Sequence, residues 1–406
     1  MRYIQKIYHE KSASEFNTTY QQRFNYESTV HTGLKIKPMS QPNNYELYYV
    51  PTNHLLTLVN NIHLISREFQ KTFEQLPTVA QHQFINECLV EELYNTNDLE
   101  GVRSSREEIA RSTKEIQLKR KSKNRFDSMI KSYLALLNKE MKYPVSPQDI
   151  RQIYDEITNG EIDSSELPDG EIFREEATYI YKKSGSGKII HQGMTPEKEV
   201  YRAIEHLLNF MNTHDDIPLI IRVAVGHYFF GYIHPFYDGN GRSSRFISSL
   251  YLIEVLGEIG TLSLSRGCNT YRNKYLETFE ITNSIKSRGE MNCFIESFLE
   301  IILETLSKMS GELKEKIELL KITENKLSKD YRLKDKDAIY RNIMFILAQN
   351  HFFVTENGLT IKELAEILNK SEMTIRKTIK ELLQVSLIDK NGEKPAYYSI
   401  SRNYFE

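Results

Sequence analysis

The segment Ile217–Phe236 is apolar almost without a break, over about the twenty residues that a membrane span needs. It also carries Arg222, His227 and His234, side chains that are expensive in lipid. The segment therefore reads as a helix buried in a protein core, and the fold must supply a core large enough to hide it. At roughly 150 residues per domain, the 406-residue chain holds two to three domains, enough to do so. Its 40% hydrophobic and 27% charged residues are ordinary for a globular protein and exclude a fibrous or disordered chain. Lysine and arginine total 53 against 55 acidic residues, a net charge of −2, so any contact with nucleic acid or membrane has to be local. Cys88, Cys268 and Cys293 lie far apart with no CxxC spacing, which suggests neither a disulfide framework nor a zinc site. The first residues, MRYIQKIYHEKSASEF, lack the apolar core of a secretory signal. The expected location is cytoplasmic, with no membrane partner.

Residues 1 to about 50 show no clear periodicity and give no assignment. Apolar residues then return at helical spacing over Thr52–Gln75 and Val79–Tyr94. The second helix runs into NTNDLEG, where Gly101 suits a helix end, and Ser104 and Ser105 suit the cap of the next helix. Further helices are expected at Ile109–Gln117, Phe126–Glu140 and Ser146–Thr158. The basic cluster Lys119, Arg120, Lys121, Lys123 and Arg125 reads as a solvated loop or helix face. Between Ile172 and Gly193, TYIYKK and KIIHQG form the one good hairpin signal, joined by a Gly-rich turn in which the KSGSGK run lacks the phosphate-loop pattern. Helices resume at TPEKEV, with a cap and a first-turn proline.

Leu306, Leu313, Leu320 and Leu327 recur every seven residues in a charged segment, which predicts a long connecting helix with a homodimer contact as a second role. Beyond it come a helix at Asp337–Gln349, two helices in LTIKELAEILN and KSEMTIRKTIKELLQVSLI, and an Asn-Gly hairpin in DKNGEKPAYYSI. This is the order of a winged helix-turn-helix. Its second helix would offer Arg376, Lys377 and Lys380 to DNA, although such domains also serve as protein-interaction modules.

Chemistry concentrates in HPFYDGNGRSSR, residues 234–245, between the apolar helix and another that starts at Arg242. Gly239, Asn240 and Gly241 let backbone N–H groups converge just before the positive end of a helix, an anion cradle. Arg242 and Arg245, three apart, share a face and can clamp further phosphate oxygens. Asp238 is the one carboxylate there, enough for a Mg²⁺ that is otherwise held by phosphates and water. His234 is the one group beside the loop that can accept a proton near neutral pH. His227, seven residues earlier, permits a two-His metal site in principle but finds no third ligand, and a hydrogen-bonded structural histidine is the better reading.

HPFYDGNGRSSR resembles, at every fixed position, the HPFx[D/E]GNGRxxR signature of Fic-domain proteins. The hairpin and NTYRNKYLETFE extend the resemblance over roughly residues 120–305. It implies AMP transfer, in which a hydroxyl of a target protein attacks the α-phosphate of ATP·Mg²⁺ and pyrophosphate leaves. By resemblance His234 deprotonates the hydroxyl, Asp238 binds Mg²⁺, and Gly239, Asn240, Gly241, Arg242 and Arg245 hold the phosphates, with Tyr275 near the adenine. The hairpin would be the family's flap, aligning the target through Ile180, Ile189 and Ile190 by strand addition.

The run Thr96–Gly101, TNDLEG, resembles the inhibitory [S/T]xxxE[G/N] motif that class II members carry on a helix before the core. Glu100 would then pair with Arg245 and withhold it from the γ-phosphate. The resulting expectation is a mainly α chain: a helical Fic core with a β-hairpin flap, plus a C-terminal winged helix-turn-helix domain. Its regions would be residues 1–115 with the inhibitory helix at about 79–101, the Fic core at 116–310, a connecting helix at 311–335 and the winged domain at 336–406. The expected activity is that of a self-inhibited protein adenylyltransferase, with the enzyme itself among its targets. Two alternatives remain open: removal of AMP from a modified protein at the same site, and a DNA-binding regulator in which the Fic core senses nucleotide.

Overall fold

The computed structural model describes residues 1–119, 124–181, 187–213, 216–353 and 358–405. Arg120, Lys121 and Lys123 of the basic cluster, and Lys183 to Ser186 of the hairpin turn, lie outside the described residues. The chain is mainly helical and divides into two compact units. One comprises Met1–Arg67 and Leu89–Ser307, the other Glu68–Cys88 and Lys308–Glu406. The regions expected at 1–115 and 116–310 thus fall largely within one unit, and the expected connector is part of a longer helix.

The first unit opens with structure where the sequence gave no assignment. Helices α1 (Ile4–Glu10) and α2 (Ala13–Phe24) precede a hairpin of β1 (Val30–Ile36) and β2 (Tyr45–Tyr49). Helix α2 starts on a capping box between Ser12 and Glu15, and in β1 the side chains of Thr32, Leu34 and Ile36 turn inward on alternate positions. This hairpin adds to the two expected at 172–193 and in the C-terminal region: three two-stranded sheets are present among the described residues. Helices α3 (Asn53–Phe73) and α4 (Thr78–Glu100) follow, each with its two ends in different units. Then come α5 (Arg106–Gln117), α6 (Asp127–Leu137) and α7 (Pro147–Thr158), the last opened by a Ser146–Asp149 capping box with Pro147 in its first turn.

The second hairpin pairs β3 (Tyr179–Tyr181) with β4 (Ile189–Gln192), setting Ile180 opposite His191. Helix α8 spans Glu197–Thr213. Pro196 immediately precedes this helix and its carbonyl accepts from the N–H of Val200 at 3.3 Å, while the Thr195 hydroxyl donates to the carbonyl of Glu175 at 3.2 Å. The apolar segment becomes α9 (Leu219–Ile233), followed by α10 (Asn240–Thr261), α11 (Leu264–Thr270) and α12 (Arg272–Asn283). Helix α9 is buried along nearly its whole length. Gly226 makes room for Met211 of α8 and Gly231 for Phe279 of α12: a Cβ at either position would come within 2.5 Å and 2.7 Å of those side chains. No single helix among the described residues is long and apolar enough to cross a membrane.

Helix α13 (Asn292–Lys329) carries the leucine repeat, and Leu306, Leu313, Leu320 and Leu327 are all buried within the chain. The seam is filled by the molecule's own core. The second unit continues with α14 (Ala338–Phe353), α15 (Ile361–Leu368), α16 (Glu372–Gln384) and the hairpin of β5 (Ile388–Asn391) and β6 (Tyr397–Ile400). Leu359 exchanges both backbone hydrogen bonds with Tyr398 at 2.8 Å, a single bridge beside the hairpin. Ile343, Leu347, Leu364, Ile375, Ile379 and Leu387 form its core. Arg376 on α16 is exposed, 3.9 Å from Glu372.

Candidate active site

Helix α9 stops at His234, whose backbone turns into the left-handed region (φ 52°, ψ 63°) while its N–H still caps the carbonyl of Phe230 at 2.9 Å. Phe236 anchors the loop that follows by stacking on Tyr154 of α7, with ring centroids 3.7 Å apart. Asn240 is buried and grips Phe236 on both sides: its Oδ1 accepts from the Phe236 N–H at 2.9 Å and its Nδ2 donates to the Phe236 carbonyl at 2.7 Å. The Asn240 side chain thus braces the loop. Asp238 accepts from the N–H of Gly239 at 2.6 Å and keeps 36% of its side chain exposed. Gly239 sits at φ 77°, against Thr158, where a Cβ would come within 2.7 Å. The first turn of α10 begins there.

Arg242 and Arg245 leave α10 on one face, each only 1% exposed. Arg242 reaches Asp238 with one Nη2 contact of 3.4 Å, and its buried Nε and Nη1 have no hydrogen-bond partner among the described residues. Buried donors of this kind suit an anion brought in by a ligand. Arg245 is fully engaged by the end of α4. Its Nε donates to the Thr96 hydroxyl at 2.9 Å, and its Nη2 donates to the Thr96 carbonyl at 3.1 Å and to Glu100 Oε1 at 2.9 Å. Burial alone would raise the pKa of Glu100, but the charge and hydrogen bond of Arg245, with the charge of Arg242 behind them, outweigh it and hold the carboxylate below its usual range. The same carboxylate fills the space beside Gly241, where a Cβ would stand 2.1 Å from Oε1. Gly101, at φ 78°, ends the helix.

Other residues seat the end of α4, and the sequence reading missed them. Glu92 is fully buried and accepts from the N–H of Ser265 at 2.8 Å and from its hydroxyl at 2.5 Å. Burial pushes its pKa up to about 7 despite those bonds. Asn269 donates to Asn95 at 2.9 Å and to Asp98 at 3.0 Å, and Arg272 donates to the carbonyl of Leu99 at 2.8 Å. The available signal was the four-residue spacing of Glu92, Thr96 and Glu100, three polar residues on one face of a helix.

The second hairpin stands on a stalk laced to the end of α9. Met194 N–H donates to the Ile233 carbonyl at 3.0 Å, and His191 Nε2 lies 2.7 Å from the Tyr232 carbonyl. Tyr237, the variable position of the motif, donates to Asp169 at 2.9 Å and accepts from the N–H of Glu176 at 3.0 Å. Ile180, Ile189 and Ile190 are half-buried in the hairpin, with Tyr179 and Tyr181 exposed beside them. The loop, the α4 end and the hairpin stalk thus gather His234, Asp238, Gly239, Gly241, Arg242, Arg245, Thr96 and Glu100 into one site.

Tyr275, expected near the adenine, is 6% exposed, and its hydroxyl lies 2.7 Å from Nε2 of His227. Nδ1 of His227 lies 2.8 Å from the Ser248 hydroxyl and 3.1 Å from that of Ser244, so both ring nitrogens have partners. Burial and then Arg245 push the His227 pKa down to about 3. It is a neutral, hydrogen-bonded core histidine, and no cluster suited to a metal ion occurs among the described residues.

Residues 144–252, which include the whole 234–245 loop, match the Fic/DOC family. The chain therefore carries a Fic/DOC domain. A Fic family protein from Desulfovibrio desulfuricans G20 has the same fold, with a TM-score of 0.52 at 16% identity over 87% of this chain and 98% of that one. Fic-1 (residues 134–508) from C. elegans aligns with a TM-score of 0.43 at 17% identity over 64% of this chain and 73% of that one. A Fic domain-containing signalling protein from Bacteroides thetaiotaomicron VPI-5482 does so with a TM-score of 0.43 at 16% identity over 63% of this chain and 97% of that one.

Proposed function

We propose that this protein is a self-restrained protein adenylyltransferase of the class II Fic type, which moves AMP from ATP to a hydroxyl of a target protein. The observation that carries the reading is the contrast on one face of α10, where Arg242 keeps two buried donors without partners among the described residues while Arg245 is held by Thr96 and Glu100. The resting state therefore has room for part of a polyphosphate and withholds the rest. His234 is the base. Burial, followed by His191 and Arg174, presses its pKa down to about 3, so the imidazole is a neutral acceptor at physiological pH. It takes the proton of the target hydroxyl as that oxygen attacks the α-phosphate and pyrophosphate departs. Half-exposed Asp238 fits a Mg²⁺ ion, which when bound neutralises phosphate charge. The hairpin offers its edge to the target segment.

The helix order, the hairpin and the Leu359–Tyr398 bridge support reading residues 336–406 as a winged helix-turn-helix, whose exposed Arg376, Lys377 and Lys380 suit DNA. Three cysteines, widely spaced in the sequence, accord with a reducing, cytoplasmic setting.

The test is mass spectrometry of wild-type and Glu100→Gly protein after incubation with ATP·Mg²⁺. An added AMP is expected on the variant at ten times the wild-type level or more, since one charge-assisted contact is worth about 1.5–3 kcal/mol. Equal labelling of both would overturn the restraint, and no adduct on either, on the protein or on offered acceptors, would overturn AMP transfer.

A further inference from the structure

Arg174, at the base of the hairpin stalk, is 0% exposed and forms no ion pair with any described residue. Every one of its side-chain hydrogen bonds ends on a backbone carbonyl. Nε donates to His234 at 2.9 Å, Nη2 to Met194 at 2.8 Å and Ile233 at 3.5 Å, and Nη1 to Glu176. Its own N–H donates to the carbonyl of Pro235 at 3.3 Å. One residue thus holds three successive carbonyls around the histidine and two on the hairpin stalk. His234 needs such support, because its backbone occupies a left-handed conformation that a residue with a Cβ adopts under strain. Gly193 makes the approach feasible: a Cβ there would stand 2.3 Å from Arg174 Nη2 and 3.1 Å from the His234 Cβ.

We propose that Arg174 is the positioning residue of His234, fixing by its carbonyl contacts the backbone from which the imidazole faces the reacting hydroxyl. The kinetic side of this proposal rests on the adenylyltransferase reading. The charged and titratable groups that face His234 are Arg174 and His191 from the stalk and Glu100 from α4. Arg174 and His191 oppose a proton on the imidazole and Glu100 favours one. Arg174 therefore also keeps the base deprotonated. Fully buried, it has no surface open to a ligand and acts through the backbone that it holds.

The test compares Arg174→Gln with Arg174→Lys, each in the full-length Glu100→Gly protein. Arg174→Gln is expected to cut the rate of AMP incorporation at saturating ATP about 100-fold, while the ATP concentration for half-maximal rate stays within about threefold. Arg174→Lys keeps the charge but lacks the planar fork, so it should recover about a tenth of the parent rate. NMR titration of the His234 imidazole should move upward toward its ordinary value in the Gln variant and stay near the parent in the Lys variant. An unchanged rate with an unmoved imidazole overturns the proposal, as does a loss confined to ATP affinity. If Arg174→Gln does not fold, the Lys variant decides: a reduced rate at parental ATP dependence supports the proposal, and a parental rate overturns it. If Glu100→Gly itself transfers no AMP, the adenylyltransferase reading fails, and the imidazole titration still decides the positioning role.

Discussion

The loop at 234–245 and the end of α4 meet at Arg245, yet they hold their shapes by opposite means. Within the loop the turn from Phe236 to Asn240 braces its own backbone, with Asn240 on Phe236 and Asp238 on Gly239. The α4 end satisfies its polar groups on other elements: Glu92 on Ser265, Asn95 and Asp98 on Asn269, and Thr96 and Glu100 on Arg245. A region closed on itself is a fixed frame, whereas one held by partners far away in sequence is a part that can be lifted out. On the proposed function, the difference separates catalysis from its control.

Substitutions sharpen the contrast. In the loop, Asn240→Ala leaves the buried N–H and carbonyl of Phe236 without partners, which should cost about 1–3 kcal/mol each in denaturant unfolding. In the Glu100→Gly background it should lower AMP incorporation at least 100-fold, and retained activity would mean that the loop does not need its own brace. At the α4 end the expected sign is opposite. Asn269→Ala and Arg272→Ala should each raise wild-type AMP incorporation about threefold, read by labelled ATP, and no rise would show that the clasp is not limiting.

Glu92 adds a pH dependence to that end. Its folded pKa of about 7 exceeds the ordinary 4.5, so the folded protein keeps a proton that the unfolded chain has released in between. The stability it lends is full below that window and fades as pH rises through 7. Wild type should therefore lose stability against Glu92→Gln between pH 5 and 8, by at most about 1.4 kcal/mol per pH unit. Parallel curves in urea unfolding would remove Glu92 from the titration. The smallest effect is expected farthest from the contrast: Arg376→Ala should leave AMP incorporation unchanged while weakening any salt-sensitive DNA binding in a filter assay.

The loop was legible because nearly every residue type in it is chosen for a single local task, and because the tasks follow one another along the chain. Glu92 and Ser265 stand 173 residues apart, and no periodicity announces such a pair. Arg174 in EIFRE looks like any surface arginine until its burial is seen. The first hairpin did signal itself through the alternation of Thr32, Leu34 and Ile36, but Gly33 and the charged neighbours diluted the pattern. Tyr275 was assigned to the nucleotide by likeness alone, and its contact with His227 is invisible in one dimension.

The missing Cβ of Gly241 is usually thought of as clearance for a ligand, yet here the clearance is occupied by a carboxylate oxygen of Glu100. The cationic floor of the site is thus an ion exchanger that carries its own counter-ion, tethered to a helix. Removing that counter-ion exposes buried positive charge, and a polyphosphate entering the same space restores neutrality. Release of the restraint and capture of the nucleotide are on this view a single exchange of anions, in which each makes the other easier. Small polyanions that cannot react should compete for the same place, coupling the ionic composition of the surroundings to the fraction of molecules that are switched on.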